Sequence, residues 1–230
     1  MPDWSAIGKK AKSKGTRGER RVAQLLNELT GKGFRKTPSS GGYNKFGGVV
    51  IAEHKFCGDV ICDDQSFAFC VEAKNRPDDF SAATLSTAPQ SAQFSDWWSQ
   101  VNEESKKVKL LPMLYFKFGK ASNNLVKNDF IAITERVAEY LEYPMNKPHL
   151  KVVAYDQPVW IKLKVKIKGK RTKQNARMLV KLPDPLLINW NNLADSINKD
   201  KLFSLPDWVE EENNRFQIIE RDGPDNAIWR

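Results

Sequence analysis

Two short runs of the sequence carry charged residues at a spacing that suits metal-assisted hydrolysis. Asp59 lies in the first run (58–62), and Glu72 and Lys74 lie in the second (70–74). Since alternate residues of a strand share a face, Glu72 and Lys74 would point the same way. If the two runs pair, the Asp59 and Glu72 carboxylates would lie within about 5–8 Å of each other. Carboxylates at that distance fit a hard divalent cation such as Mg²⁺, and the lysine would hold a water or a phosphate beside it.

A third carboxylate lies in a predicted helix from about Thr16 to Thr30. Glu19 shares a stripe of that helix with the apolar residues Val22, Leu26 and Leu29. A charge on the buried side of a helix is costly unless it is paired or bound to a metal, so Glu19 is a candidate for the same site. The alternative is that Glu19 merely lies near the start of the helix, where an acidic residue suits the helix dipole.

The elements that must position these residues follow from the hydrophobic spacing. Beyond the first helix, the pattern predicts strands over 49–55, 58–62 and 67–74, a helix over 94–108, a strand over 110–118 and a helix over 130–141. Trp97 and Trp98 lie on the apolar side of the second helix, where we expect them to join the core. This order predicts an α/β fold with a mixed central sheet flanked by helices.

The pattern changes beyond Pro144. In residues 159–168, apolar side chains occupy the odd positions, and lysines occupy all the even positions except 160. This period of two predicts a strand with one cationic face, and 177–182 would be its hairpin partner. Its lysines, about 6.6 Å apart, would meet alternate phosphates of a DNA strand. The alternative is a solvated outer face that protects a sheet edge.

The composition favours a polyanionic partner. The chain of 230 residues carries 37 Lys and Arg against 28 Asp and Glu, which gives a net charge of +9, and such an excess fits nucleic acid. No stretch approaches ~18 uncharged apolar residues, and the charged N-terminus has no apolar signal region. We therefore expect a cytoplasmic protein that does not bind a membrane.

The three cysteines, Cys57, Cys62 and Cys70, form no CxxC pair. With His54 they could supply the N and S donors of a zinc site. Against this, Cys62 and Cys70 lie in apolar runs, where a free cysteine behaves as a small hydrophobe. We expect neither a zinc site nor a structural disulfide, since disulfides are rare in cytoplasmic proteins.

The charged residues stand within a longer pattern that resembles the PD-(D/E)XK nuclease superfamily. Asp59 precedes the run Glu72-Ala73-Lys74, and both follow a helix that bears Glu19. The similarity is closest to archaeal- and phage-type Holliday junction resolvases and is carried by the segments 15–21 (GTRGERR), 38–42 (PSSGG), 97–100 (WWSQ) and 112–117 (PMLYFK). It covers about residues 12–118, and Gly58 stands where the family's motif has a proline.

This resemblance implies a restriction-endonuclease-like core, followed here by a basic, β-rich C-terminal extension. It implies metal ligation by Asp59, Glu72 and the Ala73 carbonyl, support of the metal by Glu19, catalysis by Lys74 and positioning by Gln100. The metal would be Mg²⁺, with Mn²⁺ as a substitute, and in-line attack by an activated water would leave a 5′-phosphate. Because resolvases act as dimers, a homodimer is a further expectation.

Composition and the change of pattern beyond Pro144 divide the chain into a flexible basic arm (1–15), a nuclease core (16–145) and an extension (146–230), which we expect to contact DNA through a β-hairpin and a helix. The residues expected to contact DNA are Lys14, Arg17, Arg20, Ser39, Ser40, Lys162, Lys164, Lys166, Lys168, Arg171, Lys173 and Arg177.

The function that the sequence favours is a metal-dependent DNA endonuclease, resembling a Holliday junction resolvase. The chain continues for over a hundred residues beyond the resemblance, which leaves the junction substrate open. The alternatives are a nuclease for linear or sequence-specific duplex DNA, a non-catalytic DNA-binding protein on a nuclease scaffold, and an RNA-directed or zinc-dependent protein. The intact Asp59, Glu72 and Lys74 argue against the non-catalytic alternative, because a close pair of carboxylates is costly to keep.

Overall fold

The structure is a computed structural model and describes residues 4–37, 57–75, 92–117, 129–152, 157–168, 173–224 and 227–228. The strand predicted over 49–55 and the predicted DNA contacts Ser39, Ser40 and Arg171 lie outside the described residues. Among the helices that the structure describes, none is both long and apolar enough to cross a membrane.

Helices and strands follow one another along the whole described chain. The helices are α1 (Trp4–Thr30), α2 (Ala92–Val108), α3 (Glu135–Tyr140), α4 (Trp190–Ala194) and α5 (Val209–Asn214), with a 3-10 helix at Lys199–Phe203. The strands are β1 (Phe34–Lys36), β2 (Val60–Cys62), β3 (Phe69–Asn75), β4 (Leu111–Lys117), β5 (Asp129–Thr134), β6 (His149–Lys151), β7 (Val159–Ile167), β8 (Lys173–Lys181), β9 (Pro185–Asn189), β10 (Gln217–Asp222) and β11 (Ala227–Ile228).

Five strands form a mixed central sheet in the order β3-β4-β5-β9-β6. β3 and β4 run parallel, whereas the other neighbours run antiparallel. A parallel pair needs a crossover connection, and α2 lies in that connection. The mixed sheet with its flanking helices confirms the predicted α/β class.

Each face of the central sheet is covered by one of the two long helices. On β4, Met113 lies in the buried cluster that contains Leu26 of α1, whereas its neighbour Leu114 lies in the cluster that contains Trp98 of α2. Adjacent residues of a strand point to opposite faces, so α1 and α2 pack on opposite sides of the sheet. Trp97 and Trp98 are both buried, as predicted.

Four antiparallel strands in the order β10-β8-β7-β11 form a second sheet. The side chains of β7 alternate between buried and exposed positions, as predicted. The buried ones, such as Val159 and Ile161, share a cluster with Trp98, so α2 is packed between the two sheets. The opposite side of the β7–β8 hairpin, which we call the cationic face, exposes Lys162, Lys164, Lys166, Lys168, Lys173 and Arg177.

The long helix α1 begins at Trp4 rather than near Thr16, so residues 4–15 of the predicted flexible arm are helical. The predicted boundary at residue 145 lies between β5 and β6. Both strands pair with β9, so the boundary divides a single sheet. The segment beyond residue 145 therefore completes the central sheet and supplies the second one.

The helix predicted over 130–141 is instead the strand β5 followed by the short helix α3. Ile131 and Ile133 are β-branched and fully buried in the sheet, which favours a strand. Thr134 then caps α3, because its side chain accepts a hydrogen bond from the Val137 amide. The prediction failed because only three residues separate the apolar residues of 130–133 from those of 137–141, so the two segments read as one helix.

Cys57 and Cys70 form a disulfide, so the prediction of free thiols is wrong for this pair. Gly58 makes a parallel bridge to Val71. This bridge brings the preceding cysteine of each segment side by side, with Cα atoms 5.1 Å apart. Cys62 is free.

Candidate active site

The side chains of β3 that face α2 lie opposite residues of that helix, because the two spacings are nearly equal. Lys74 Nζ donates a hydrogen bond to Gln100 Oε1 at 3.0 Å. Alternate residues of a strand are about 6.6 Å apart, and four residues of a helix advance by about 6 Å. Glu72 therefore lies level with Glu104, one turn beyond Gln100, and the two charges are close enough to interact.

Asp59 lies at the outer edge of β3. Its backbone amide donates to the Val71 carbonyl at 2.7 Å, and its Oδ2 accepts from the Ala73 amide at 3.0 Å. Because Ala73 lies between Glu72 and Lys74, this second hydrogen bond holds the Asp59 carboxylate beside both of them. The structure thus brings Asp59, Glu72 and Lys74 together.

Gly58 allows the chain to approach β3 this closely. Its φ is +70°, and a Cβ at this position would lie 2.2 Å from the Val71 carbonyl oxygen. Glycine adopts a positive φ readily, whereas proline is confined to a φ of about −65°. Glycine in place of the family's proline therefore permits the backbone conformation that places Asp59 beside β3.

The carboxylates of this site resist ionisation. Burial, together with the Asp59 and Glu104 charges, raises the pKa of Glu72 to about 8, although its ion pair with Lys74 opposes the shift. Burial also raises the pKa of Asp59, against the opposing effects of the Ala73 amide and Lys74. Glu72 is only 4% exposed, so water does little to stabilise its charge. A cation beside these groups would stabilise their charged forms.

The donor groups fit a hard divalent cation. Asp59 and Glu72 offer carboxylate oxygens, and the Ala73 backbone lies between them. Mg²⁺ in nucleotide-processing proteins is held by one or two carboxylates, and water and phosphate oxygens supply the remaining ligands. Two carboxylates and a carbonyl group therefore suffice for such a site.

A tighter group of ligand atoms lies beside these carboxylates. The Sγ atoms of Cys57 and Cys70 and one Glu104 oxygen lie within 4.8 Å of one another, and no other three such ligands among the described residues are so close. The two sulfurs are joined in a disulfide, so neither is the thiolate that zinc requires. The predicted zinc alternative also needs His54, which lies outside the described residues.

α1 contributes Glu19 from the middle of the helix rather than from its first turn. This position removes the explanation that Glu19 merely begins the helix. Its carboxylate pairs with Lys36 and is 12% exposed, and its charge acts on Asp59. Arg21, half a turn further on, binds Asp129 of the central sheet at 3.2 Å. α1 is therefore held so that Glu19 faces the Asp59 side of the site.

Glu104 is the residue of this site that the sequence argument missed. It accepts a hydrogen bond from Gln100 Nε2 at 3.1 Å. A separation of four residues places two side chains on one face of a helix, and this spacing from Gln100 was the available indication. Glutamates are common on helix surfaces, so the spacing alone does not single out Glu104.

The other predicted contacts lie on two separate surfaces. Arg17 and Arg20 are exposed on α1, which also includes Lys14. The cationic face of the second sheet is turned away from α2, because the buried side of the same strands packs against that helix. The structure therefore does not bring the residues of the cationic face together with Asp59 and Glu72.

Comparison with known proteins defines the class. Over residues 10–204 the chain matches the protein family described as "Phage putative PDDEXK endonuclease". The match covers most of the chain, which therefore belongs to this nuclease family. The chain is also similar to Protein D14 of Escherichia phage T5, with 25% identity over 146 residues that make up 62% of this chain and 86% of that protein. No solved structure matches the chain significantly.

The family match confirms the superfamily that the resemblance indicated. The closer similarity to Holliday junction resolvases is tested by neither comparison and stays a prediction.

Proposed function

We propose that the protein is a metal-dependent DNA endonuclease with a restriction-endonuclease-like core. Membership of the nuclease family supports the hydrolytic activity. The proposed site depends mainly on one observation. The Ala73 amide donates a hydrogen bond to Asp59 Oδ2, which places a second carboxylate beside the buried Glu72. In this proposal Asp59, Glu72 and the Ala73 carbonyl bind Mg²⁺, for which Mn²⁺ substitutes, and Glu19 supports them.

The chain's own residues order the groups around the cation. A bound Mg²⁺ would supply an activated water and would neutralise charge on the phosphate. Beside the cation Glu72 would be ionised, and its charge would be shared between the cation and Lys74. Gln100 still holds Lys74 by its carbonyl oxygen. The Lys74 ammonium group is then available to donate to the scissile phosphate and to offset its developing negative charge.

Positive charge near the site supports a DNA substrate. Arg17 and Arg20 are exposed on the helix that reaches the site, where they would bind phosphates beside the scissile bond. Lys14, Ser39 and Ser40 are further candidates for this contact. A branched substrate cut by a homodimer, as in the resolvases that the sequence resembles, is the more specific form of the proposal.

The cationic face would bind the DNA backbone away from the point of cleavage. Lys166 and Arg177 each lie between two paired strands, so protection of a sheet edge does not explain these two residues. Lys166 lies opposite Lys173, and Lys162 lies opposite Arg177, whose charge is paired with Asp222. Like charges at opposite positions destabilise a sheet, and a row of phosphates would offset this repulsion.

A cleavage assay tests the proposed function. The protein is incubated with a four-way junction, a linear duplex and a plasmid, each with Mg²⁺ and with EDTA. We expect cleavage with Mg²⁺ that EDTA abolishes and that Lys74→Ala lowers by about a hundredfold or more. Lys107→Ala, on the exposed side of α2, is the matched control and should cleave at the wild-type rate.

The three substrates also separate the alternatives. Preference for the junction over the duplex would support a resolvase-like enzyme, whereas equal cutting would support a nuclease for linear DNA. Tight binding without cleavage under any divalent metal would contradict the proposal and indicate a DNA-binding protein on a nuclease scaffold.

A further inference from the structure

Three polar side chains form a hydrogen-bonded series from β3 to α2. Lys74 Nζ donates to Gln100 Oε1 at 3.0 Å, and Gln100 Nε2 donates to Glu104 Oε1 at 3.1 Å. The Gln100 amide thus lies between an ammonium group and a carboxylate, and its two ends have different partners.

The two partners of Gln100 permit a single orientation of its amide. An ammonium group can only donate hydrogen bonds, and an ionised carboxylate can only accept them. The Gln100 carbonyl oxygen must therefore face Lys74, and its NH₂ group must face Glu104. In the flipped orientation the NH₂ group would meet the ammonium group and the carbonyl oxygen would meet the carboxylate, so both contacts would be repulsive.

The helix that carries Gln100 and Glu104 is firmly held. Trp98 Nε1, on α2, donates to the Pro183 carbonyl at 2.7 Å, and this contact is buried. Lys106, near the other end of α2, donates to the Phe216 carbonyl at 3.1 Å. A fixed helix keeps the Glu104 carboxylate in one place relative to Gln100, which an orienting group requires.

We propose that Glu104 is a positioning residue for the reaction. By accepting a hydrogen bond from the Gln100 NH₂ group, Glu104 holds the Gln100 carbonyl oxygen against Lys74 and keeps the lysine aimed at the scissile phosphate. This role depends on the acceptor oxygen of Glu104 rather than on its negative charge. The proposal rests on the proposed function, since it concerns the lysine to which catalysis is assigned there.

Glu103, the preceding residue of α2, provides a matched control. It pairs with Lys107 one turn along the helix, an ordinary arrangement of opposite charges on a helix surface. Gln100 donates to Glu104, whereas the Glu103 carboxylate accepts from Lys107 at 2.7 Å. A substitution at Glu103 therefore changes the charge of α2 equally without changing the Gln100 contact.

The test compares substitutions that keep the acceptor with one that removes it. Glu104→Leu removes both the oxygen and the charge, and we expect kcat to fall about tenfold, as for one lost hydrogen bond to a charged group. Glu104→Gln removes the charge but keeps an acceptor oxygen, and we expect kcat to stay within about threefold of wild type. Glu103→Leu should leave kcat unchanged. KM for DNA and the thermal midpoint should match wild type in all three variants.

A double-mutant cycle shows whether Glu104 acts through Gln100. In a Gln100→Ala background, Glu104→Leu should cause no further loss of kcat. Additive losses would overturn the proposal. Equal losses of kcat in Glu104→Gln and Glu104→Leu would also overturn it, because the role of Glu104 would then be its charge. Weaker binding of Mn²⁺ by Glu104→Leu, measured by electron paramagnetic resonance, would overturn it as well, because Glu104 would then be a metal ligand.

Crystal structures of the wild-type protein and Glu104→Leu add a readout that does not depend on activity. We expect the contact between Lys74 Nζ and Gln100 Oε1, 3.0 Å in the wild type, to be lost in the variant. An unchanged contact would overturn the proposal. If the wild-type protein cut no nucleic acid, the proposed function would fail, while this comparison would still decide whether Glu104 orients Gln100.

Discussion

At the scale of single residues, the site depends on two carboxylates, Asp59 and Glu72, whose pKa values are raised by burial. Burial is the main reason that the pKa of Glu72 rises to about 8, and the charges of Asp59 and Glu104 add to it. The ion pair with Lys74 only partly offsets the cost of burying the Glu72 charge. A proton offsets this cost in the metal-free protein, and a divalent cation would offset it in the active enzyme.

The sequence predicted the strand residues of this site but not their neighbour on α2. Glu72 and Lys74 follow from the period of a strand, and Asp59 follows from the pairing of two short runs. The spacing did not reveal that this pairing is one parallel bridge through Gly58. It also did not single out Glu104, because the importance of that residue depends on how α2 packs against β3.

The raised pKa of Glu72 predicts an inverted dependence of stability on pH. The folded protein keeps a proton on Glu72 up to a pH of about 8, whereas the unfolded chain loses it near the ordinary pKa of 4.5. The folded state thus binds more protons in this window, so the free energy of unfolding falls as pH rises. We expect the thermal midpoint of the metal-free protein to drop by several degrees between about pH 5 and pH 8.

The comparison with Glu72→Gln isolates this effect from other titrating groups. The variant should lose most of the decline and should be more stable than wild type at about pH 8. The exposed residue Glu28 provides the control, and Glu28→Gln should keep the wild-type decline. A wild-type midpoint that rises over this range as steeply as that of Glu72→Gln would contradict the raised pKa.

At the scale of secondary-structure elements, the hydrophobic periodicity of the sequence predicted the strands that expose one face to solvent. The alternation of β7 and its pairing with β8 follow the sequence pattern. β5 and β9 are buried on both faces, so their apolar residues run continuously and show no period of two. β5 was therefore predicted as part of a helix, and β9 was not predicted.

The cationic face gives a prediction at this scale. If Lys164 and Lys166 each neutralise one phosphate, the double substitution Lys164→Gln and Lys166→Gln should lower the salt dependence of DNA binding by about two units in slope. The association constant is measured in EDTA at several salt concentrations, so that no DNA is cleaved. Lys199→Gln, an exposed lysine outside both sheets, is the single-site control and should keep the wild-type slope. A double variant with an unchanged slope would remove the cationic face from the DNA-binding surface.

At the scale of the whole molecule, α2 connects the two sheets and the candidate site. One side of this helix carries Gln100 and Glu104 toward β3, and Trp98 packs against both sheets. The central sheet takes β9 from far along the chain to pair with β5, and sequence spacing does not predict such distant pairings. The family match extends to residue 204, so it includes β6 to β9 as well as the segment that carries the catalytic residues.

Calorimetric titration of Mn²⁺ into the protein tests most directly whether Asp59 and Glu72 form a metal site. We predict that the wild-type protein binds Mn²⁺ with release of protons at neutral pH, because Glu72 must lose its proton. Asp59→Asn should weaken this binding by about tenfold or more, whereas Asp64→Asn, in the turn between β2 and β3, should not. Equal Mn²⁺ affinity in the wild-type and Asp59→Asn proteins would show that the carboxylates brought together at the edge of β3 do not bind the metal.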